Sequence, residues 1–300
     1  MISVIIASKN RPNEMLLCLQ SMLHDSFETK EILVVDQSAG DTTEALIRSI
    51  KNKHIVYLRH QKGGKSTALN TGIAHARGNI IAFTDDDCII DNGWLESLHK
   101  TFKENRQVGG VFGRTMPYQP NKNKGKMCPC TFEKTQKKLI TKSCYHADHI
   151  GFGNNMAFRK EVFTQIGGFK NWLGPGSVGS NAEDAEFTLR ALLKGYKLLY
   201  DPSVIVYHNK WLTGKQMKKQ ELSYTCGELA CYGYFLFQGN QFSKPIVLNN
   251  LKYSWRTVQK IVKKIIILKW NKSLPSDCIY WLTKNIYAAR GLIVGFIYSL

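Results

Sequence analysis

The stretch that decides the fold is GNIIAFTDDD, residues 78–87. Its apolar part predicts a buried strand over residues 79–84, and three adjacent aspartates, residues 85–87, follow that strand. Neighbouring carboxylates raise one another's pKa, so three in a row coexist most easily around a bound cation. Carboxylate oxygens favour Mg²⁺ or Mn²⁺, and a diphosphate could supply the remaining ligands. The alternative interpretation is a solvated turn that caps a helix beginning near Asn92.

Strands and helices alternate upstream of this stretch. We predict strands over residues 3–7, 31–36 and 54–59, and helices over residues 12–23, from the capping sequence at 41–44, and over 65–77. This alternation predicts an α/β fold with a Rossmann-like, mostly parallel sheet flanked by helices. Ligands of such sheets bind beyond the carboxyl ends of the strands. The residues at those ends are polar or charged: Ser8, Lys9, Asn10 and Arg11, then Asp36 and Gln37, then the three aspartates.

The second half of the chain changes character twice. Residues 115–148 are rich in Lys, Asn, Pro and Gly, which predicts a long surface excursion with a short helix near 132–140. After it we predict strands near 155–158, 197–200 and 204–207, and helices from Glu161 and over 183–194. The pattern beyond residue 208 is helical. We therefore predict a nucleotide-binding α/β domain over residues 1–208 and a basic, aromatic-rich helical extension over residues 209–300.

Two short motifs lie at the starts of predicted helices. Glu183 and Asp184 follow a loop rich in Gly, Ser and Asn, where acids often cap a helix dipole. The same position suits a general base that deprotonates an acceptor hydroxyl, and spacing alone does not decide between the two. The second motif is GGKS, residues 63–66, where backbone amides and Lys65 could meet a phosphate. It lacks the full P-loop pattern, and a plain helix start explains it equally well.

The N-terminal residues and the cysteines indicate the cellular compartment of the protein. The first residues lack the basic and long apolar regions of a secretory signal, so we expect a cytoplasmic protein whose eight cysteines are mostly reduced. No stretch reaches the roughly 18 apolar residues of a spanning helix. Five residues within a 22-residue segment could bind structural zinc, although their spacing matches no tight template. They are Cys128, Cys130, Cys144, His146 and His149.

Charge is concentrated in the last third of the chain. The net charge is +18, and residues 209–300 hold 14 Lys and Arg against three acids, a net +11. A helical wheel over residues 251–270 places apolar residues, such as Leu251 and Trp255, opposite a basic face. This pattern favours an anionic membrane surface as partner and peripheral attachment to its inner face, with Trp281, Tyr287 and the apolar end at 292–300 as further anchors. A core-facing helix is the alternative, and nucleic acid is not the expected partner.

Five segments, taken together and in order, resemble the family 2 glycosyltransferases, a large inverting group with the GT-A fold. The resemblance covers about residues 2–208 and implies transfer of a sugar from a nucleotide-diphosphate donor. The segments are SVIIASKNRP (3–12), EILVVDQSAGD (31–41), GNIIAFTDDD (78–87), GFGNNMAFRKEV with IGGF (151–162 and 166–169), and the stretch from Glu183 and Asp184 through Arg190 and Gly195 to His208.

The resemblance also implies roles for single residues. Nine residues would line the donor nucleotide: Ala7, Ser8, Asn10, Arg11, Asp36, Gln37, Lys65, Asp85 and Asp86. The metal, Mn²⁺ or Mg²⁺, would be held mainly by Asp87, with Asp85 and His208 as further candidates; a buried histidine at a strand end is the alternative for His208. Asp184 would be the catalytic base. Near the donor sugar or the acceptor would lie Asn154, Asn155 and Glu183.

The implied reaction is a single displacement with inversion, in polysaccharide or glycoconjugate synthesis, onto a glycan or lipid-linked acceptor. This chain has Gln37 where many relatives have a second acid, which leaves the nucleotide base undetermined. Ala7 stands where relatives often have Pro. Two other functions fit the same residues: a GT-A protein that binds a nucleotide or glycan without turnover, and a metal-dependent nucleotidyltransferase, which would release pyrophosphate.

Overall fold

The structure of the protein, a computed structural model, describes residues 1–142, 150–267 and 276–300. It contains two compact units. The first unit comprises Met1–Asn171 and Phe187–Thr213, and the second comprises Trp172–Glu186 and Gly214–Leu300. The predicted boundary at residue 208 is a single cut, whereas the second unit also takes a segment from within the α/β region.

The first unit alternates strands and helices up to its middle and then becomes strand-rich. In chain order the elements up to residue 208 are β1 Ile2–Ser8, α1 Pro12–His24, β2 Lys30–Asp36, α2 Thr42–Ser49, β3 Ile55–Arg59, α3 Lys65–His75, β4 Ile80–Asp85, β5 Cys88–Ile90, α4 Trp94–Glu104, β6 Val108–Pro117, β7 Lys138–Ile140, β8 Met156–Arg159, α5 Lys160–Ile166, α6 Glu183–Leu193 and β9 Lys197–His208, and the first turn of α6 belongs to the second unit. The chain continues with α7 Gly214–Phe237, α8 Ser243–Ile267 and α9 Ser276–Ser299.

The strands form one sheet in the order β3-β2-β1-β4-β8-β6-β9-β5, with β7 paired to β9. The first four strands of that order are parallel, as predicted from the alternation of strands and helices. Beyond β4 the sheet is mixed, because β8 is antiparallel to both of its neighbours and β5 is antiparallel to β9. The register sets Ser8 level with Asp36 and Ala7 level with Asp85, so the polar residues that end these strands meet at one edge.

Side chains of β1 alternate between two hydrophobic layers, one on each face of the sheet. Val4 and Ile6 pack in one layer with Leu19 of α1, while Ile5 packs in the other with Leu69 of α3. All five are at most 2% exposed. Burying an aliphatic side chain of this size contributes about 1.5–3 kcal/mol, so the two layers hold the carboxyl ends of the strands in fixed positions.

Two predictions about the second half of the sheet were wrong. A strand, β7, occupies the last part of the segment where a helix near 132–140 was expected, and it pairs with β9. The two strands expected at 197–200 and 204–207 are one strand, β9, with an irregularity where Gly113 pairs with Asp201 but the next residue, Arg114, pairs with Ile205. The Asp201 carboxylate accepts hydrogen bonds from the Ser203 backbone and hydroxyl, which stabilises this bulge.

The expected cap of α2 is also absent. Asp41 lies at the N-cap position, but its side chain makes no capping hydrogen bond. It pairs instead with Arg59 at the end of β3. An ion pair across neighbouring loops has therefore replaced the local bond that the sequence suggested.

The second unit contains the helices α7, α8 and α9. Two glycines of α9 allow its backbone to approach that of α7 closely: a Cβ at Gly291 would lie 2.3 Å from the carbonyl oxygen of Cys226, and one at Gly295 would lie 2.5 Å from that of Ala230. The ring of Trp172 stacks on Tyr298 with centroids 4.7 Å apart. In the described part of the chain, every helix falls short of the length and apolar character needed to cross a membrane.

Candidate active site

The carboxyl ends of β1, β2 and β4 bring the predicted donor-side residues together within the first unit. Two segments carry the cations: the loop after β1 supplies Arg11, and the first residue of α3 is Lys65. The end of β4 supplies the three aspartates. The parallel register, rather than proximity in sequence, makes these groups neighbours.

Each of the three aspartates contacts a cation. Lys65 Nζ lies 2.5 Å from Asp85 Oδ1. Arg11 spans the other two, with Nη1 2.7 Å from Asp86 Oδ1 and Nη2 3.0 Å from Asp87 Oδ2. Ser8 Oγ donates a 2.7 Å hydrogen bond to Asp86 Oδ2. Burial raises the pKa of Asp86 to about 7, against the opposing effect of the Arg11 charge.

His208 completes the charge balance from the end of β9. Its Nε2 lies 3.2 Å from Asp87 Oδ1, and both side chains are buried. Although burial alone lowers it, the interaction with Asp87 raises the pKa of His208 to about 10. Burial likewise raises the pKa of Asp87, but His208 and Arg11 outweigh it and hold that pKa below its usual range. The pairing of Cys88 with His208 between β5 and β9 fixes this arrangement.

The hydrogen bonds of His208 determine which of its nitrogens faces Asp87. Its Nδ1 lies 2.7 Å from the carbonyl oxygen of Pro129. A carbonyl only accepts, so Nδ1 carries a proton and donates it there. Nε2 is then the nitrogen available either to a proton shared with Asp87 or, once deprotonated, to a metal ion.

The residues around Asp87 fit a divalent cation. One carboxylate oxygen of Asp87, Sγ of Cys88 and a ring nitrogen of His208 lie within 4.8 Å of one another, and all three residues are buried. Asp87 Oδ1 receives no well-oriented hydrogen bond from the described residues, although His208 Nε2 is 3.2 Å away. A buried carboxylate oxygen without a directed donor is an atom that a cation would satisfy. Asp85 is partly exposed beside this group.

The loops after β1, β2 and β3 are cross-linked by the residues predicted to approach the nucleotide base. The Asp36 carboxylate is fully buried and accepts hydrogen bonds from the Ser38 backbone at 2.9 Å, the Ser38 hydroxyl at 2.5 Å and Tyr57 Oη at 2.9 Å. Gln37 Nε2 faces the carbonyl oxygens of residues 62–64 at 3.0 to 3.3 Å. Asn10, with a φ of 57°, donates its backbone N–H to Ser38 Oγ at 2.7 Å. These contacts fix the loops at this edge of the sheet; contact with a base stays a prediction.

Asn154 and Asn155, predicted to lie near the donor sugar or acceptor, are buried and engaged in the sheet. Asn155 accepts from Trp94 Nε1 at 3.0 Å and donates to the carbonyl oxygens of Arg114 and Val204, each at 2.9 Å. Asn154 accepts from Thr115 Oγ1 at 3.1 Å. Such contacts serve packing, and the sugar-side role of these residues remains a prediction.

Glu183 and Asp184 open α6 and belong to the second unit. Glu183 is buried, whereas Asp184 is half-buried and its Oδ1 accepts the backbone N–H of Ala185 at 2.8 Å. An acid at the first turn of a helix also stabilises the helix dipole, so this contact fits both interpretations of the motif.

Sequence reasoning missed Cys88 beside His208, and it considered Cys128 only as a possible zinc ligand. Cys88 directly follows the aspartates, and its register partner is His208. Cys128 Sγ lies 3.3 Å from the His208 carbonyl oxygen and 3.8 Å from its Nδ1. Of the cluster considered for zinc, Cys128 and Cys130 are described and half-buried, whereas Cys144, His146 and His149 lie outside the described residues.

The chain has clear relatives. The model of glycosyl transferase family 2 matches residues 3–167, which is more than half of the chain. The glycosyltransferase AglE of Haloferax volcanii is 28% identical over 225 residues, which cover 73% of this chain and 70% of AglE. The poly-β-1,6-N-acetyl-D-glucosamine synthase of Staphylococcus aureus is 25% identical over 205 residues, 67% of this chain and 48% of the synthase. The chain thus spans about half the length of that synthase.

A solved structure shares the fold. The mannosyltransferase PcManGT from Pyrobaculum calidifontis, solved in complex with GDP-Man and Mn²⁺, superposes with a TM-score of 0.62 at 18% sequence identity. The match covers 100% of this chain and 88% of that one. The predicted fold class, a GT-A type α/β sheet flanked by helices with a C-terminal helical extension, is confirmed.

Proposed function

The chain is a family 2 glycosyltransferase, and we propose that it moves a sugar from a nucleotide-diphosphate donor to an acceptor hydroxyl, with inversion and with the help of a divalent metal. The observation that carries the proposal is the convergence of Asp85, Asp86 and Asp87 with Arg11, Lys65 and His208 at the carboxyl ends of the strands. This edge is where ligands of open α/β sheets bind.

The residues at this edge would divide the work of holding the donor. Asp87, His208 and the partly exposed Asp85 would hold Mn²⁺ or Mg²⁺. The bound metal would supply positive charge against the diphosphate as it leaves. Arg11 and Lys65 are the cations nearest the aspartates, and a planar guanidinium matches a diphosphate in two hydrogen bonds. The loops held by Asp36, Gln37 and Asn10 would accommodate the nucleoside.

Asp184 is proposed as the general base. The acceptor oxygen would form its bond to the anomeric carbon as the bond from that carbon to the diphosphate breaks. Asp184 would take the hydroxyl proton, and the electron pair of the broken bond would leave with the nucleoside diphosphate. Asp184→Asn should remove turnover while largely sparing donor binding; near-normal turnover would discard this role. Glu28→Gln, which makes the same change from carboxylate to amide at an exposed residue between α1 and β2, is a matched control and should leave turnover unchanged.

The donor is best identified by its product. A panel of nucleotide sugars should be tested for Mn²⁺- or Mg²⁺-dependent release of a nucleoside diphosphate, with Asp87→Ala as the matched inactive variant. Release of pyrophosphate would point to a nucleotidyltransferase, and donor binding without any release would point to a binding protein. Neither outcome is compatible with the proposal. The name of the staphylococcal synthase supports polysaccharide or glycoconjugate synthesis as the setting, with a glycan or lipid-linked acceptor.

We further propose that the second unit attaches the protein to the inner face of an anionic membrane. Apolar side chains line one exposed stripe of α9, including Ile286 at 67% and Ile293 at 59% exposure. On α8, Trp255 is 64% exposed, although a core-facing helix would have buried it. Exposed apolar side chains beside an excess of Lys and Arg are typical of helices that lie on anionic lipid.

Vesicle flotation tests this attachment. The protein should float with vesicles of phosphatidylcholine and phosphatidylglycerol, and more weakly with phosphatidylcholine alone. Ile286→Glu combined with Ile293→Glu should abolish flotation, whereas Leu17→Glu, at an exposed apolar residue of the first unit, should not. Equal flotation of all three proteins would reject the assignment of this stripe.

A further inference from the structure

The Arg11 guanidinium lies against the carboxylate of Asp87, where a metal ion bound to that residue would have to fit. Its two guanidinium nitrogens touch two different carboxylates, with Nη1 on Asp86 at 2.7 Å and Nη2 on Asp87 at 3.0 Å. Asp87 is the residue best placed to bind a metal, and its two oxygens face two cationic groups: Oδ1 faces His208 and Oδ2 faces Arg11. A divalent ion at Asp87 would therefore meet the Arg11 charge at close range.

Electrostatics makes the two cations competitors. Like charges a few ångströms apart in a partly buried site repel one another strongly, because the effective dielectric of a protein is well below that of water. A divalent ion doubles that repulsion. Asp86 and Asp87 are at most 6% exposed at their side chains and cannot move away easily, whereas the Arg11 side chain is 33% exposed. Arg11 is thus the partner able to leave.

We propose that Arg11 is an internal counter-cation that a divalent metal displaces from Asp87, and that the released guanidinium then binds the donor diphosphate. The inference rests on the metal site of the proposed function and adds a role for Arg11 that metal binding alone does not require. The metal and the nucleoside diphosphate then favour each other's binding, because each stabilises the arrangement in which Arg11 has left Asp87.

Removing the guanidinium should strengthen metal binding. Electron paramagnetic resonance of free Mn²⁺, titrated with protein in the absence of nucleotide, measures this affinity directly. Arg11→Met should bind Mn²⁺ about tenfold more tightly than the unmodified protein, within the roughly 5- to 150-fold range of typical coupling between sites. Arg11→Lys should fall between them, since one ammonium group cannot span both carboxylates.

Arg59→Met is a matched control. Arg59 is also an arginine at a strand end of the same sheet, is 30% exposed and contacts two carboxylates, those of Asp41 and Glu44. Its removal should leave Mn²⁺ affinity unchanged. General damage to the fold would weaken metal binding in either variant, so a gain confined to the Arg11 variants is a result that a purely structural role would not produce.

The outcomes separate the two proposals. Mn²⁺ binding by the unmodified protein with equal or weaker binding by Arg11→Met and Arg11→Lys would overturn the role of Arg11 and leave the metal site standing. No Mn²⁺ binding by any of the proteins would overturn both. If Arg11→Met proves too unstable to purify, Arg11→Lys alone decides. As a second readout, Mn²⁺ should increase affinity for UDP or GDP less in the Arg11 variants than in the unmodified protein; an equal increase would reject the release step.

Discussion

The affinity for Mn²⁺ should rise steeply with pH, and His208 should be the cause. Nδ1 of His208 donates to Pro129, so the nitrogen that faces Asp87 is Nε2. The pKa of His208 is raised to about 10, and below that value Nε2 holds a proton that a metal ion must displace. The sign follows directly: lowering the pH adds a competitor for the same nitrogen and weakens metal binding.

The magnitude of the pH effect on Mn²⁺ affinity follows from the release of one proton from His208 for each metal ion bound. Well below the pKa of the histidine, each pH unit changes the affinity about tenfold, or roughly 1.4 kcal/mol. Mn²⁺ should therefore bind about tenfold more tightly at pH 8.5 than at pH 7.5. This interval lies above the pKa of about 7 for Asp86, so protonation of that neighbouring carboxylate contributes little to the slope.

Isothermal titration calorimetry in buffers with different ionisation enthalpies measures the affinity and the number of protons released. The unmodified protein should release close to one proton per Mn²⁺ near pH 8. His208→Asn should lose this release and the pH slope, while His54→Asn, at the opposite end of β3, should retain both. An affinity that is the same at both pH values, or an unchanged slope in His208→Asn, would refute the reasoning.

Three further predictions concern the framework of the two units. Asp36→Asn removes the charge that three donors share, so it should cost about 1.5–3 kcal/mol and lower the Tm by several degrees in differential scanning fluorimetry. Asn155→Ala should destabilise the first unit by about 3 kcal/mol in urea unfolding, because the buried indole N–H of Trp94 would lose its acceptor; a loss below 1 kcal/mol would contradict this. Gly291→Leu should force α7 and α9 apart and speed proteolysis of the second unit, whereas Gly214→Ala, with open space around it, should not.

The parallel half of the sheet could be predicted because its signals are local. Apolar runs with β-branched residues marked β1, β2 and β4, and each predicted boundary lies within one residue of the observed one. The polar residues at the ends of these strands followed from the rule that ligands bind at that edge. The short strand β5 has only three residues, so its pattern is too brief to distinguish from a turn.

The errors arose where distant contacts override local pattern. Asp41 has the sequence of a helix cap, but the register of β2 and β3 brings Arg59 within reach, and the ion pair replaces the cap. The break at residues 201–204 reads as the end of a strand, yet hydrogen bonds from Ser203 to Asp201 hold the bulge and β9 continues to His208. The ion pair joins residues 18 positions apart, outside a window of ten residues, and the bulge becomes recognisable only from the register shift in the pairing of β9 with β6.

The pairing of cations with aspartates is the part of the site that only the three-dimensional structure supplies. Arg11 is 75 positions from Asp86 and 76 positions from Asp87 in the sequence. A buried carboxylate without a partner is strongly destabilising, so the fold needs Arg11 and His208 beside the aspartates whether or not a substrate is bound. The same groups are the ones that a metal and a diphosphate would recruit. The same charged groups therefore stabilise the fold and bind the ligands. Arg11→Met should accordingly lower the Tm and raise the affinity for Mn²⁺.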